Sequence, residues 1–259
     1  MDDLILGLGD SISPVDSLAK ESDALLKALL RPSFDEMGGM FADQVRLRRF
    51  KNQIKILMKA QQILTDKGLD PKRVSLKVLA PLIEFSSYEQ DPDLQGKWAE
   101  LTVHILTDNE DTVFQQNCLA ILNRISSTEA KLIDDLHLDL ESRRANRNKK
   151  DKESFASLSE RYPNNSFPIP KNPEDYSLDN FAFNVAIIAK KSGFTKSEIN
   201  FRISNLISFG LLKWETNVKV NAKKAEEDPE DTTIDVNVSV SNNDIFIFTP
   251  TGDRFVKVC

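Results

Sequence analysis

At Gly210 the apolar period of this chain changes. Across residues 43–140, and again from about 178 to 208, hydrophobic side chains recur at spacings of three and four, as on amphipathic helices; beyond Gly210 they alternate, as on half-buried strands. Each period buries a different kind of face. The chain therefore has to stack a helical assembly first and a small α+β piece after it.

The helical part is parsed by its stripes and stops. Over residues 43–66, Leu47, Phe50, Ile54, Leu57 and Leu64 line one side of a long helix that Gly68 ends. Leu79, Leu82, Ile83 and Phe85 give a second face, where Pro81 marks a kink or a fresh start. Asp91-Pro92 is a cap followed by proline at the first helical position, opening a helix with Leu94, Trp98, Leu101 and Ile105 inside. Phe114, Cys118, Ile121 and Ile125 repeat that spacing. Ser126 with Glu129 is a capping box for a helix that buries Leu132, Ile133, Leu136 and Leu140. Connections are short and no sequence period is present, which describes an antiparallel bundle and not a repeat array. Residues 142–176 change character. Arg143, Arg144, Arg147, Lys149, Lys150 and Lys152 crowd together, and Pro163, Pro168, Pro170 and Pro173 follow. This reads as a polar connector, part of it helical over 151–161.

In the C-terminal part, Ser177 or Asp179 is expected to cap a helix through Phe183, Val185, Ile187 and Ile188 to Gly193. Thr195 and Glu198 form a capping box, flanked by Phe194 and Ile199 as a hydrophobic staple, for a helix over 196–208 that Gly210 stops. Leu212, Trp214, Thr216, Val218 and Val220, then Ile234, Val236, Val238 and Val240, make a hairpin whose tip at 226–231 is acidic. Residues 245–248 are expected as a third strand, and Pro250 starts a last turn with Gly252 and Phe255. The whole is a mainly α chain: an N-terminal extension with short helices over 1–42, one of them at 22–30, a helical bundle over 43–162, a proline-rich linker over 163–177, and a small winged-helix-like α+β module over 178–259.

Net charge is −6, and a dedicated nucleic-acid binder is usually basic. The charge is uneven. Residues 1–42 carry eight acids against three bases, and residues 43–69 carry seven bases against two acids. Arg46, Arg48, Arg49, Lys51, Lys55 and Lys59 form a basic helix face, a candidate contact for an anion, a phosphate backbone or an anionic membrane surface. A solvated face, or one paired with the acidic helices of 70–140, is the preferred reading. On the helix at 196–208, Lys196, Asn200 and Arg202 are of types that reach bases, yet they bring only two positive charges against Glu198, and the acidic hairpin tip would be repelled by phosphate. His104 and His137 read as structural or surface histidines, because neither has a local ligand set of three or four. The chain contains no HExxH, CxxC, GxSxG, Walker A or GxGxxG pattern, so no catalytic residue, metal site or cofactor is assigned. Two cysteines fit a reducing cytoplasm, with Cys118 as a buried hydrophobe. No apolar run approaches the ~18 residues of a membrane span.

Four segments, APLIEFSSYEQDPDLQGKWAELTVHIL at 80–106, AILNRISSTEAKLIDDL at 120–136, NLISFGLL at 205–212 and FTPTGDRFVKVC at 248–259, resemble the abortive infection alpha family of bacterial proteins. Glu89, Trp98, Leu101, Ser127, Glu129, Ala130, Gly210, Thr249, Gly252, Phe255 and Cys259 fit its motif positions; Thr102 and Thr251 depart from them. The resemblance implies a role in phage defence, in which the infected cell is shut down or dies, and transfers no catalytic residue. The leading expectation is a non-enzymatic, cytoplasmic effector or sensor acting through a protein partner or a second copy of itself. The alternative is a winged-helix nucleic-acid-binding regulator. A second alternative is a membrane-active toxin using the apolar runs at 4–8 or 25–30 with the basic helix. Nucleic acid and membrane are both disfavoured as partners.

Overall fold

The computed structural model describes residues 44–108, 111–224 and 234–259. The expected helix at 22–30, the apolar runs at 4–8 and 25–30 and the acidic hairpin tip at 226–231 lie outside the described residues. Described residues are mainly helical, with a small three-stranded antiparallel sheet towards the C-terminal end. The chain divides into two compact units, residues 1–124 with Cys259 and residues 125–258.

The first unit holds α1 (Gln44–Lys67), α2 (Leu76–Ser87), α3 (Pro92–Thr107) and α4 (Thr112–Leu122). The α1 stripe buries Phe50, Ile54, Leu57 and Leu64 as its spacing requires, with Ile56 and Ala60 beside them. Across from it α3 buries Leu94, Trp98, Leu101 and Ile105. The Asp91 carboxylate accepts from the backbone N–H groups of Asp93 and Leu94 at 2.9 and 3.2 Å, so α3 starts where the Asp-Pro signal placed it. Pro81 starts no helix; it lies inside α2. A proline there leaves the carbonyl four residues back without its helical donor. That carbonyl, on Lys77, accepts instead from Gln116 Nε2 of α4 at 3.2 Å. Cys118 and Cys259 are both buried, and burial together with the Cys118 hydrogen bond pushes the Cys259 thiol well above its ordinary range. A neutral, enclosed thiol of this kind is inert.

The second unit begins with α5 (Ser127–Arg161), a helix of 35 residues capped by the Ser126–Glu129 box. Residues 142–161 are thus helix and not connector. Arginine and lysine propagate a helix well, and no glycine or proline interrupts this run before Pro163. Pairs one turn apart, Asp139 with Arg143 at 2.6 Å and Arg147 with Asp151 at 3.3 Å, support it. Tyr162, ahead of Pro163, leaves the helical region as a pre-proline residue tends to. The proline-rich stretch 163–177 lies within this same unit. Tyr176 Oη donates to Asp151 Oδ2 at 2.7 Å, and the Asn148 amide donates to the Lys171 carbonyl.

The helix expected from Ser177 is broken up. Ser177 caps only a 3-10 turn at Leu178–Asn180, Phe183–Asn184 form strand β1, and Asn184 caps α6 (Val185–Ser192), which closes at Gly193 with φ 75°. The capping box at Thr195 then opens α7 (Lys196–Ser208). Strands β2 (Leu212–Lys224) and β3 (Ile234–Phe248) pair antiparallel, and β1 adds on the other side of β3, with Phe183 opposite Phe246. Residues 245–248 are therefore the end of β3 and not a separate strand. A register shift between Trp214 and Thr216, with Asp244 at φ 54°, bends the ladder without breaking it.

Residues 210–212 and 249–252 form a clasp. Gly210 takes φ 73°, Thr249 N donates to the Leu211 carbonyl at 3.1 Å, and Thr249 Oγ1 accepts from Gly252 N at 3.0 Å to cap α8 (Pro250–Val258). A Cβ on Gly252 would sit 1.9 Å from the Leu211 carbonyl oxygen, backbone that cannot yield. Gly252→Ala should therefore cost about 3 kcal/mol or more. Gly96→Ala, inside α3 with nothing within 4 Å of the new methyl, should gain about 0.5–1 kcal/mol. Urea unfolding of the two variants checks both signs; equal midpoints would contradict the clasp.

Candidate functional site

The basic residues of α1 do not behave alike. Arg46, Arg48, Lys51, Lys55 and Lys59 are exposed. Lys59 Nζ donates to the Pro92 carbonyl at 3.2 Å. Among the described residues Arg48, Lys51 and Lys55 have no hydrogen bond or ion pair. Arg49 is half-buried and fixed: its Nε donates to Ser87 Oγ at 3.0 Å and its guanidinium lies 4.2 Å from the centre of the Tyr88 ring. Ser87 is itself held, its Oγ donating to the Glu84 carbonyl at 2.6 Å and its carbonyl accepting from the buried Asn52 amide at 3.1 Å. These residues, with Arg48, Lys51 and Gln90, line a groove of about 680 Å³. Sequence spacing supplied the α1 half. Ser87 and Tyr88 escaped it, because they reach Arg49 and Asn52 only across 35 to 39 positions of chain.

Lys196, Arg202 and Asn205 of α7 each contact a residue of their own unit. Lys196 pairs with Asp244 at 2.5 Å, and Arg202 lies 4.9 Å from the centre of the Phe194 ring. Asn205 Nδ2 donates to Glu129 Oε1 at 2.6 Å. Burial raises the Glu129 carboxyl, but the bonds from Asn205 and Ser126 and the charge of Arg202 outweigh it and leave the group below its ordinary range. Thr195 holds Glu198 low in the same way, through its backbone and side-chain bonds. Asn200 has a buried Oδ1 without a hydrogen-bond partner.

A charged cluster that sequence reading missed lies between α5 and α8. Arg144 is 2% exposed. Its Nη1 donates to Glu141 Oε1 at 2.7 Å and to Asp253 Oδ1 at 3.0 Å, and His137 Nε2 is 3.0 Å from that same Asp253 oxygen. His137, Glu141 and Asp253 each offer an atom within 4.8 Å of the others, a spacing a metal ion could use. The Arg144 guanidinium already lies against both carboxylates, so a cation would have to displace a buried charge. The cluster is a buried ion network joining α8 to α5. Only the spacing of His137, Glu141 and Arg144 hinted at it; Asp253 lies 109 residues from Arg144.

A model of the family described as Abortive infection alpha matches residues 42–259. The chain belongs to that family. No curated protein and no solved structure matches it. The positions that carry its likeness to the abortive infection alpha family are structural in this fold. Glu89 accepts from the N–H groups of Gln90 and Asp91 at 2.8 and 2.9 Å, Glu129 closes a capping box, Gly210, Thr249 and Gly252 make the clasp, and Trp98, Leu101 and Phe255 are buried.

Burial raises the Asp253 carboxyl; the His137 hydrogen bond and the charges of Arg144 and Lys257 overcome this and hold it far below the ordinary carboxylate range. A depressed carboxyl contributes stability that is present above the unfolded value, about 3.9, and lost as the pH falls towards the folded one. Asp253→Asn should cost about 3–5 kcal/mol near neutral pH by leaving Arg144 buried with half its countercharge. The gap to wild type should narrow below about pH 4. Urea midpoints at neutral and acidic pH check this, and a loss under about 1 kcal/mol at neutral pH would rule out a structural role for the pair.

Proposed function

We propose that this chain is an anti-phage defence protein of the abortive-infection kind, a cytoplasmic effector or sensor that works by binding a protein partner or a second copy of itself and not by catalysis. Membership of the abortive infection alpha family over residues 42–259 carries the reading. The use of the polar groups supports it. The one grouping with the spacing of a metal or acid–base site among the described residues, His137 with Glu141 and Asp253, is closed by Arg144. We read the strand, helix, helix and hairpin of residues 183–248 as a winged-helix-like module used for packing or protein contact, because Lys196, Arg202 and Asn205 face partners of their own unit and not solvent alone. No described helix is long and apolar enough to cross a membrane.

Expression at native level in a susceptible bacterium should lower phage plating by about tenfold or more for at least one phage of a broad panel, with early collapse of heavily infected cultures. Unchanged plating across the panel would sink the reading. A salt-sensitive shift of a duplex DNA probe by the purified chain, abolished by Lys196→Ala with Asn200→Ala, would favour the nucleic-acid regulator instead.

A further inference from the structure

The basic groove beside α1 goes beyond that reading, and its chemistry is specific. Arg49 is a preset fork. Its Nε is tied to Ser87 Oγ and its central carbon lies over the Tyr88 ring, 4.2 Å from the ring centre, while neither terminal nitrogen has a partner among the described residues. A guanidinium held by one edge presents its other edge to an oxyanion with two parallel N–H donors, and the side-chain entropy of ordering it is spent before any ligand arrives. Arg48 and Lys51 line the same groove, exposed and without counter-ions among the described residues. The nearby acid, Glu89, is turned to the backbone N–H groups of Gln90 and Asp91. Among the described residues no acid lines the groove beside these three cations, which suits a group bearing two or more negative charges, a phosphoryl group and not a lone carboxylate.

The rest of the groove suits an aromatic ring. Tyr88 is 53% exposed. Its ring and the guanidinium over it offer flat surfaces of the kind that hold a base. The volume of about 680 Å³ falls within the range of small-molecule sites, roughly 300–1,000 Å³.

We propose that this groove binds a nucleoside phosphate, with the phosphates on Arg49, Arg48 and Lys51 and the base against Tyr88. Titration calorimetry of the purified full chain with adenosine and guanosine diphosphates, inorganic pyrophosphate and adenosine tests it. At least one nucleoside diphosphate should bind, pyrophosphate more weakly, and adenosine not at concentrations up to about 1 mM. Arg49→Lys keeps the charge and removes the fork, and should weaken binding about tenfold or more. Arg48→Gln and Lys51→Gln, at exposed and unpaired positions that leave the fold intact, should each weaken it about threefold to tenfold and flatten its salt dependence. Tyr88→Ala should hurt the nucleotide more than pyrophosphate. No heat from any phosphate probe, affinity unchanged in Arg49→Lys, or adenosine binding as well as its diphosphate would each overturn the site. A short single-stranded DNA bound about a hundredfold more tightly than the nucleotide would overturn it too, by making the groove part of a nucleic-acid surface. These titrations are independent of phage plating, so loss of either reading leaves the other standing.

Discussion

Arg144 has a guanidinium that is almost wholly out of water, and the second unit is arranged to keep it paired. Removing such a charge from solvent costs several kcal/mol, and only close, well-directed acceptors repay it. Glu141 supplies one from its own helix and Asp253 the other from α8, with His137 and Lys257 completing the shell around Asp253. Because α8 is also bound to residues 210–211 through Thr249, one ion network and one backbone clasp together position α5, α8 and the start of β2. The aromatic packing of Phe183 on Phe246 and Phe248, at 5.6 and 6.0 Å, fills the space beneath.

How much of this could be read from the residues depended on the range of the determining interaction. Asp91-Pro92, the boxes at Ser126 and Thr195 and the stops at Gly193 and Gly210 are settled within one helical turn, and each stands where its local signal placed it. Helix is expected over part of 151–161 and continues through 142–150 as well, where a solvated basic linker and a basic helix tail share a composition. The interactions that separate them run from Arg144 to Asp253 and from Arg143 to the Ala182 carbonyl. Strand β1 has two residues, too few to express an alternation, and it exists through its pairing with β3. Of the kink or fresh start that Pro81 suggests, the fresh start is absent; Gln116, which satisfies the freed Lys77 carbonyl, lies on another helix and is out of reach of local reading. The candidate groove divides in the same way: cations recurring along α1 are visible in the sequence, whereas Ser87 and Tyr88, which lock Arg49, are brought in by the α2–α3 turn.

The two polar helices nominated by the sequence differ in what their charges do. On α7 the lysine, the arginine and Asn205 are engaged by Asp244, Phe194 and Glu129. On α1, Arg48, Lys51 and Lys55 have no partner among the described residues, beside an arginine that is held by Ser87 and Tyr88. A charge already neutralised within the fold has little left to offer a ligand, whereas an unpaired one on a fixed scaffold retains its full field. The helix that looks like a recognition element by position is the less available of the two.

The separation of 109 residues between Arg144 and Asp253 also sets an order for biosynthesis. At translation rates of roughly 5–20 residues per second, a nascent chain carries Arg144 for on the order of 5–20 s before its second carboxylate exists. During that interval Glu141, on the same helix, is the carboxylate available to Arg144, and the bond that joins α8 to α5 forms only after Asp253 has been made. That joining is then a late event, and chains released before that point lack the second countercharge of the buried arginine. Such fragments lack the Asp253 bond that ties α8 to α5.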